Sequence, residues 1–345
     1  MSVDRPTPSE TPHRRRRWVR RLAGIAGLAV LLAACGADGT DDSPDAASSE
    51  DDDAAVTELA VAVASFDLAV GEDRRLMAGV FSPERQLVAY GDVEFALAHL
   101  GDHGETGGEI TQTATASFLP VPGMEPAGVD EDRRPQLVED TGSGVYAAQV
   151  DLDQPGVWGL RVTATLADGT EVTGNQRFEV QPEPLVIDAG DPAPAVENPT
   201  VDDVEAGTAT PVSVDSRAQE EGAAIPDAHL HRSTVAETID AGRPAVVAIT
   251  TPVYCASRFC GPLTDVLAEL AHDYEDVAEF IHLEVWEDFD EQRLNEAAAA
   301  FIQTEAGGNE PWVFLLGGDG RVVARWDNVV DVDELTDALD ALEEG

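Results

Sequence analysis

The chain has 345 residues and a formal net charge of −46, with 67 acidic and 21 basic side chains, and every one of those basic residues is arginine. Such a charge repels the phosphate backbone of nucleic acids and the headgroups of anionic lipids, so neither is expected to be a partner. The length predicts more than one domain.

A signal segment is predicted over residues 1–34. The basic run RRRRWVRR (14–21) is followed by LAGIAGLAVLLAA (22–34), an apolar run too short for a membrane span and typical of a signal peptide. The run ends in LAAC, which resembles the lipobox of bacterial lipoproteins. That resemblance implies a lipid on Cys35 and an anchor on the extracytoplasmic face of the cell membrane. The export route stays open, because RRRWVR (15–20) also resembles a twin-arginine signal.

Three regions follow the signal segment. Residues 35–57 are acidic and lack apolar periodicity, which predicts a disordered tether. Residues 58–182 contain about seven short alternating runs separated by Gly, Asp and Pro, a pattern that favours an all-β sandwich of immunoglobulin type. The ADGT at 167–170 predicts a hairpin within it. Residues 183–224 are rich in Pro and acidic side chains, which predicts an extended linker with short ordered patches.

From residue 225 to 345 the pattern changes to alternating strands and helices. STVAETIDAG (233–242) predicts a capped helix, RPAVVAIT (243–250) a buried strand, and GPLTDVLAELAHDY (261–274) an amphipathic helix. A strand, a helix over EQRLNEAAAAFIQTEAGG (291–308), a hairpin turning at GGDG and a last helix follow. The order β-α-β-α-β-β-α predicts a mixed sheet covered by helices.

Cys255 and Cys260 stand between the first of these strands and its helix, in TPVYCASRFCGPL. This arrangement resembles the thioredoxin fold, in which a strand leads into a pair of cysteines at a helix N-terminus. The resemblance covers residues 225–345 and implies a cis-proline that faces the cysteines, which falls on Pro311 in NEPWVFLL. It also implies that Cys255 attacks disulfides of other proteins and that Cys260 resolves the mixed disulfide.

The spacing departs from the family, because four residues separate the cysteines instead of two. If positions are counted from the end of the strand, Cys255 occupies the family's attacking position. If the segment Cys-Gly-Pro-Leu is matched to the family instead, Cys260 occupies that position. Arg258, between them, is either a cation that stabilises a thiolate or a solvated loop residue. The first assignment of the cysteines is the one adopted.

The resemblance leaves three functional readings. The adopted one is a membrane-anchored thiol–disulfide oxidoreductase that acts on thiols or disulfides of exported proteins, with no cofactor and no metal. The second is a binding or structural lipoprotein in which the Cys255–Cys260 disulfide is static. The third is a copper-chaperone or peroxidase branch of the fold, which is disfavoured because Pro252 stands where a peroxidase carries Thr and no His follows His282.

The sequence pattern assigns no metal-binding role to the C-terminal histidines. They are His229, His231, His272 and His282. His272 is expected within or just after the helix that follows the cysteines, and His282 within a strand, where core or surface roles are expected. Trp312 is either part of a substrate groove or a core aromatic.

Overall fold

The structure is a computed structural model that describes residues 58–104, 107–126, 134–138, 143–220, 222–303 and 308–343. The predicted signal segment, Cys35 and the predicted tether lie outside these residues. The first nine strands form one sheet: β1 (Ala60–Val63), β2 (Gly71–Phe81), β3 (Leu87–Ala89), β4 (Asp92–His99), β5 (Gln112–Pro120), β6 (Gln136–Val138), β7 (Gly144–Leu152), β8 (Gly156–Thr165) and β9 (Glu171–Val180).

The N-terminal sheet is antiparallel and curls back on itself. Its order is β6-β3-β2-β7-β5-β4-β8-β9, and β1 pairs with β2. The backbone N–H of Leu59, next to β1, donates to the carbonyl of Thr173 in β9, so β1 also adjoins the far edge. Alternate side chains of β8 point inward, with Trp158 2% exposed. The prediction of an all-β N-terminal region is confirmed as a large antiparallel sheet, compatible with a sandwich.

The predicted hairpin at 167–170 is confirmed. Strands β8 and β9 pair in register from Gly156 with Val180 to Thr165 with Glu171. Gly169 has φ +90°, a left-handed conformation in which glycine carries no steric cost.

The segment 183–220, whose composition predicted an extended linker, is packed against the rest of the chain. It carries two short helices, α1 (Val201–Ala206) and α2 (Pro211–Val214), which begin at the capping boxes of Thr200 and Thr210. Asp215 and Ser216 are fully buried just after α2. Val186 joins the apolar core of the second sheet and Asp188 pairs with Arg74 and Arg325, contacts between distant residues that composition alone does not reveal.

The second sheet has four strands in the order β11-β10-β14-β15. Strand β10 runs parallel to β11 and antiparallel to β14, which is antiparallel to β15. The elements of this region are α3 (Val235–Asp240), β10 (Ala245–Thr250), α4 (Cys260–Asp273), β11 (Glu279–Glu284), β12 (Trp286–Asp288), β13 (Arg293–Leu294), α5 (Glu296–Ile302), β14 (Trp312–Leu316), β15 (Val322–Asp327) and α6 (Val332–Glu343), with a 3-10 helix at Ala228–His231 before them.

Helices cover the two faces of this sheet. On one face, Ile249 and Phe314 pack with Phe301 of α5. On the other face, Val246 and Val313 share a core with Leu267 of α4 and Leu339 of α6. The successive residues of β10 are therefore buried on both sides, which is why this strand reads as a continuous apolar run.

Helix α5 is shorter than the sequence pattern predicts. It begins after Asn295, whose side chain accepts the N–H of Ala297, and it ends at Gln303. The backbone N–H of Asn295 donates to Val285, and residues 286–294 form the short hairpin β12–β13. The hairpin and the side-chain cap delay the start of the helix.

Both sheets belong to one compact unit of the described residues. Asn328, after β15, donates from Nδ2 to the carbonyl of Ala64 at 2.8 Å. The rings of Phe66 and Trp312 lie 6.2 Å apart. Among the described residues, no helix has the length and apolarity that crossing a membrane requires.

Candidate redox site

The cysteine pair lies at the junction of β10 and α4. Cys255 is in the turn after the strand, and Cys260 is the first residue of the helix. The two sulfurs form a disulfide, with the Cα atoms 6.1 Å apart. Cys255 is 9% exposed, whereas Cys260 is fully enclosed. Cys255 is therefore the more exposed residue of the pair.

Ser257 is the polar neighbour of Cys255. Its Oγ lies 3.2 Å from the Sγ of Cys255 and accepts the backbone N–H of Phe259 at 3.4 Å. A disulfide sulfur has no proton, so Ser257 must be the donor in the first contact. Arg258, which the sequence singled out, is exposed, has φ +66° and donates its backbone N–H to the carbonyl of Cys255. Sequence reasoning missed Ser257 because a lone serine in a loop carries no distinguishing pattern.

Pro311 is buried at the start of β14, and the Glu310–Pro311 peptide bond is cis, as the resemblance implies. Trp312 pairs with Ile249 near the end of β10, so Pro311 lies at the sheet end from which the cysteine turn departs. Trp312 itself is 2% exposed, and its ring lies 5.6 Å from that of Phe314, which makes it a core aromatic.

The N-terminal sheet contacts the cysteine loop. Phe259, directly before Cys260, packs against a small cluster whose buried members are Met77, Val121, Val145 and Val329. Gly123 faces Pro262 so closely that a Cβ on Gly123 would lie 3.2 Å from the Cβ of Pro262. The first turn of α4 is thus partly covered by residues of the other sheet.

A second polar group lies behind the cysteine turn and consists of Asp215, His231 and His282. All three are buried, at 0%, 0% and 2% exposure. Oδ2 of Asp215 lies 3.5 Å from Nε2 of His231 and 4.0 Å from Nδ1 of His282. The two imidazole rings meet edge to face with centroids 5.1 Å apart. The three residues come from the segment after α2, the 3-10 helix and β11.

A chain of hydrogen bonds connects His282 to the cysteine helix. Nε2 of His282 lies 2.7 Å from Oγ1 of Thr250, which lies 2.7 Å from Oγ1 of Thr264. Oγ1 of Thr264 donates to the carbonyl of Cys260 at 2.8 Å. The chain reaches from β11 through β10 into the first turn of α4.

Burial and neighbouring charges shift the pKa values of this group. Burial alone would raise the pKa of Asp215, but the contacts with His231 and Arg217 outweigh it and hold the pKa below its usual range. Burial, assisted by the neighbouring His231, lowers the pKa of His282 to about 3 despite Asp215. His282 is therefore neutral at ordinary pH. Burial raises the pKa of Glu284, on the same strand, to about 7 against hydrogen bonds that include the Ser216 backbone N–H.

The sequence pattern did not predict that Asp215, His231 and His282 lie together. Asp215 and His282 are 67 positions apart, and the three residues stand in three different segments, without the short spacing of a metal motif. By contrast, His229 and His272 stack at the surface with ring centroids 4.5 Å apart. No protein-family model and no curated protein sequence matches the chain.

Proposed function

We propose that the chain is a thiol–disulfide exchange protein of thioredoxin-like fold, acting through Cys255 and Cys260. The observation that carries the proposal is the disulfide between the end of β10 and the first residue of α4, with the outer sulfur on Cys255. The strand order β11-β10-β14-β15 and the cis peptide before Pro311 agree with such a fold.

The exchange step balances in atoms and electrons. A thiolate of a client protein attacks Sγ of Cys255, the bond between the two sulfurs breaks, and Cys260 leaves as a thiolate. A second client thiol then attacks the mixed disulfide, which leaves the client oxidised and the Cys255–Cys260 pair reduced by two electrons. The same steps in reverse reduce a client disulfide.

Two local features lower the cost of the thiolate forms. The N–H groups at the start of α4 and the helix dipole give positive potential at Cys260, whose helix has no side-chain cap. The hydroxyl of Ser257 donates toward Cys255. The attacking and leaving positions therefore each have a group that stabilises negative charge.

The proposal extends to the location of the protein and to its first domain. A lipid on Cys35 would anchor the chain to the extracytoplasmic face of the cell membrane, with clients among exported proteins. The N-terminal sheet would be an immunoglobulin-like sandwich that serves as a spacer or a binding module. Mass spectrometry of the mature N-terminus tests the anchor: an unmodified Cys35 contradicts it.

The reduction potential of the Cys255–Cys260 pair tests the exchange function. The full-length chain is equilibrated in graded thiol buffers, and reduced thiols are trapped and counted by mass spectrometry. A potential between about −120 and −270 mV, the range of exchange proteins, supports the proposal. A potential below about −300 mV contradicts it, since a disulfide of that potential persists unreduced.

The second candidate function is that of a binding or structural protein with a static disulfide. The observation that favours it is the cover over the loop, where Phe259 packs against Met77 and Val145 of the N-terminal sheet. Phe259→Ala separates the two functions. If the disulfide takes part in exchange and the cover restricts access to it, the variant disulfide is reduced faster than that of the wild type at an unchanged reduction potential. If the disulfide is static and of very low potential, it stays oxidised in both proteins.

A further inference from the structure

We propose that Asp215, His231 and His282 form a binding site for a divalent transition-metal ion, with Zn²⁺ as the best match. Their candidate ligand atoms, Oδ2 and two imidazole nitrogens, lie within 4.8 Å of one another. Ligand atoms about 2.1 Å from one Zn²⁺ lie roughly 3.4 Å apart in a tetrahedral shell. The 3.5 Å and 4.0 Å separations from Oδ2 are close to that value.

The hydrogen-bond chain determines which nitrogen of His282 is available. Oγ1 of Thr264 gives its proton to Cys260, so it accepts the proton of Thr250. Thr250 must then accept from His282, which assigns the imidazole proton to Nε2. Nδ1 of the neutral ring therefore carries a lone pair that faces the carboxylate of Asp215. Two electron-pair donors face each other without a proton between them.

Within the part of the chain that the structure describes, the other ring nitrogens are poorly partnered. No hydrogen-bond partner is found for Nδ1 of His282 or Nδ1 of His231, and Nε2 of His231 has only Oδ2 of Asp215, 3.5 Å away. A polar atom that is left without a hydrogen bond in a buried site destabilises the folded state. A cation bound between Oδ2 of Asp215 and the two imidazole rings accepts the lone pairs that otherwise face one another. The fixed Nε2–H of His282 is also the second hydrogen bond that metal-ligating histidines make in most proteins.

The surrounding charge favours a cation even though Arg217 is nearby. Nη2 of Arg217 lies 2.7 Å from Oδ2 of Asp215, and the single proton of its Nε is shared between Oδ1 at 3.1 Å and Oδ2 at 3.2 Å. An ion bound at Oδ2 therefore competes only with the weaker, shared Nε contact. The same guanidinium also pairs with Asp227 at 2.8 Å and with Asp265 at 2.9 Å. Three carboxylates thus share one arginine, so the group retains negative charge.

The ligand set selects among metals. Two imidazoles and one carboxylate suit Zn²⁺ and other borderline transition metals, whereas Ca²⁺ and Mg²⁺ prefer oxygen ligands. Since all three side chains are buried, the ion is expected to exchange slowly with chelators. No cysteine is a ligand, so this site is independent of the proposed thiol exchange.

Metal analysis of the full-length chain, purified without a histidine tag, tests the site. The chain is saturated separately with Zn²⁺, Co²⁺, Ni²⁺ and Cu²⁺, dialysed, and its metal content is measured by mass spectrometry. We expect about one Zn²⁺ per chain and a midpoint of thermal unfolding higher than that of the chelator-treated chain. The Co²⁺ form should show the visible absorption of an ion in a low-symmetry ligand shell. Less than 0.1 equivalent of every ion, with unchanged midpoints, overturns the proposal.

Variants assign the ion to these residues. His231→Gln, His282→Gln and Asp215→Asn should each lose the stoichiometric metal, whereas the control His272→Gln in the surface histidine pair should keep it. Metal retained in the first three variants and lost in the control overturns the assignment. If the ligand variants do not fold, Thr250→Val decides, because it keeps the three ligands and removes the side-chain acceptor of Nε2–H at 2.7 Å, which leaves only the more distant backbone carbonyl of Thr250 at 3.3 Å. It should weaken Zn²⁺ binding by about 10- to 100-fold; unchanged affinity overturns the assigned tautomer and the site built on it.

Discussion

Arg325 of β15 donates from Nη1 to Oδ2 of Asp67, 2.9 Å away and 258 positions earlier in the chain. Its Nε also lies 3.1 Å from Asp188, which pairs in turn with Arg74 of β2. The side chains of Arg325 and Asp67 are 12% and 2% exposed. A partly buried ion-pair network thus joins the last strand of the second sheet, the segment after β9 and the N-terminal sheet.

Arg325→Gln should therefore destabilise the whole unit. Removing one partner of a fully buried pair leaves an uncompensated charge and costs about 3–5 kcal/mol, and the partial exposure of this network should reduce that cost. The free energy of unfolding is measured by denaturant titration, with Arg293→Gln as the control, because the ion pairs of Arg293 are exposed and should leave the midpoint unchanged. Two separate transitions in the wild-type protein would contradict the coupling of the sheets.

Asp327→Asn should change the pH dependence of stability. Burial raises the pKa of Asp327 to about 6, although the N–H of Phe66 and the charges of Arg325 and Arg75 oppose this. Since the folded-state pKa lies above the usual 3.8, the folded state binds more protons between these values. The free energy of unfolding therefore falls as pH rises from about 4 to about 6, and the loss persists above pH 6.

The asparagine variant removes this penalty and still offers an oxygen to Phe66. At pH 7 it should be more stable than the wild type by roughly 2–3 kcal/mol, and the difference should vanish near pH 4. Urea unfolding at several pH values measures it. Asp168→Asn is the control, since Asp168 is an exposed turn residue whose pKa is lowered by hydrogen bonds from Thr170. A difference that grows toward acid pH would refute the raised pKa.

The single-cysteine variants should differ in thiol reactivity. In a Cys35→Ser background, Cys260→Ser leaves Cys255, the more exposed sulfur, whereas Cys255→Ser leaves the fully enclosed Cys260. We expect Cys255 to react at least about tenfold faster with a maleimide, because reactivity requires access as well as thiolate character. Stopped-flow alkylation at fixed pH measures the rates. Faster reaction of Cys260 would reverse the assigned roles.

Gly174→Ala should displace β1 from the edge of β9. A Cβ at Gly174 would lie 2.5 Å from the carbonyl oxygen of Leu59 and 2.7 Å from a methyl of Val61, so backbone must move. The expected cost is about 2 kcal/mol of unfolding free energy. Gly159→Ala in β8 is the control, because its Cβ would lie 3.3 Å from the movable Leu100 side chain and 3.8 Å, an ordinary van der Waals distance, from the carbonyl oxygen of Ala98. Faster amide exchange of Leu59 would accompany the loss; equal stability of the two variants would argue against the curled sheet.

Local patterns in the sequence predicted many elements of the fold. The capping box of Thr234 and Glu237 starts α3, the ADGT turn joins β8 to β9, and the GGDG turn joins β14 to β15. Each depends on residues only a few positions apart, whose propensities act locally. The start of α5 was missed because the short hairpin β12–β13 takes up residues that the apolar pattern assigned to the helix.

The candidate site likewise combines residues that the sequence pattern identified with contacts that it did not. Cys255 and Cys260 stand five positions apart before a helix, so the sequence alone identified them as a pair. The grouping of Asp215, His231 and His282, the cover by Phe259 and the pairing of Asp67 with Arg325 arose only in the tertiary structure. Their partners are separated by many residues, and no local periodicity encodes which distant buried polar groups meet. Short-range chemistry determined the elements and the cysteine pair, whereas long-range packing of charged groups decided how the sheets join and which histidines face a carboxylate.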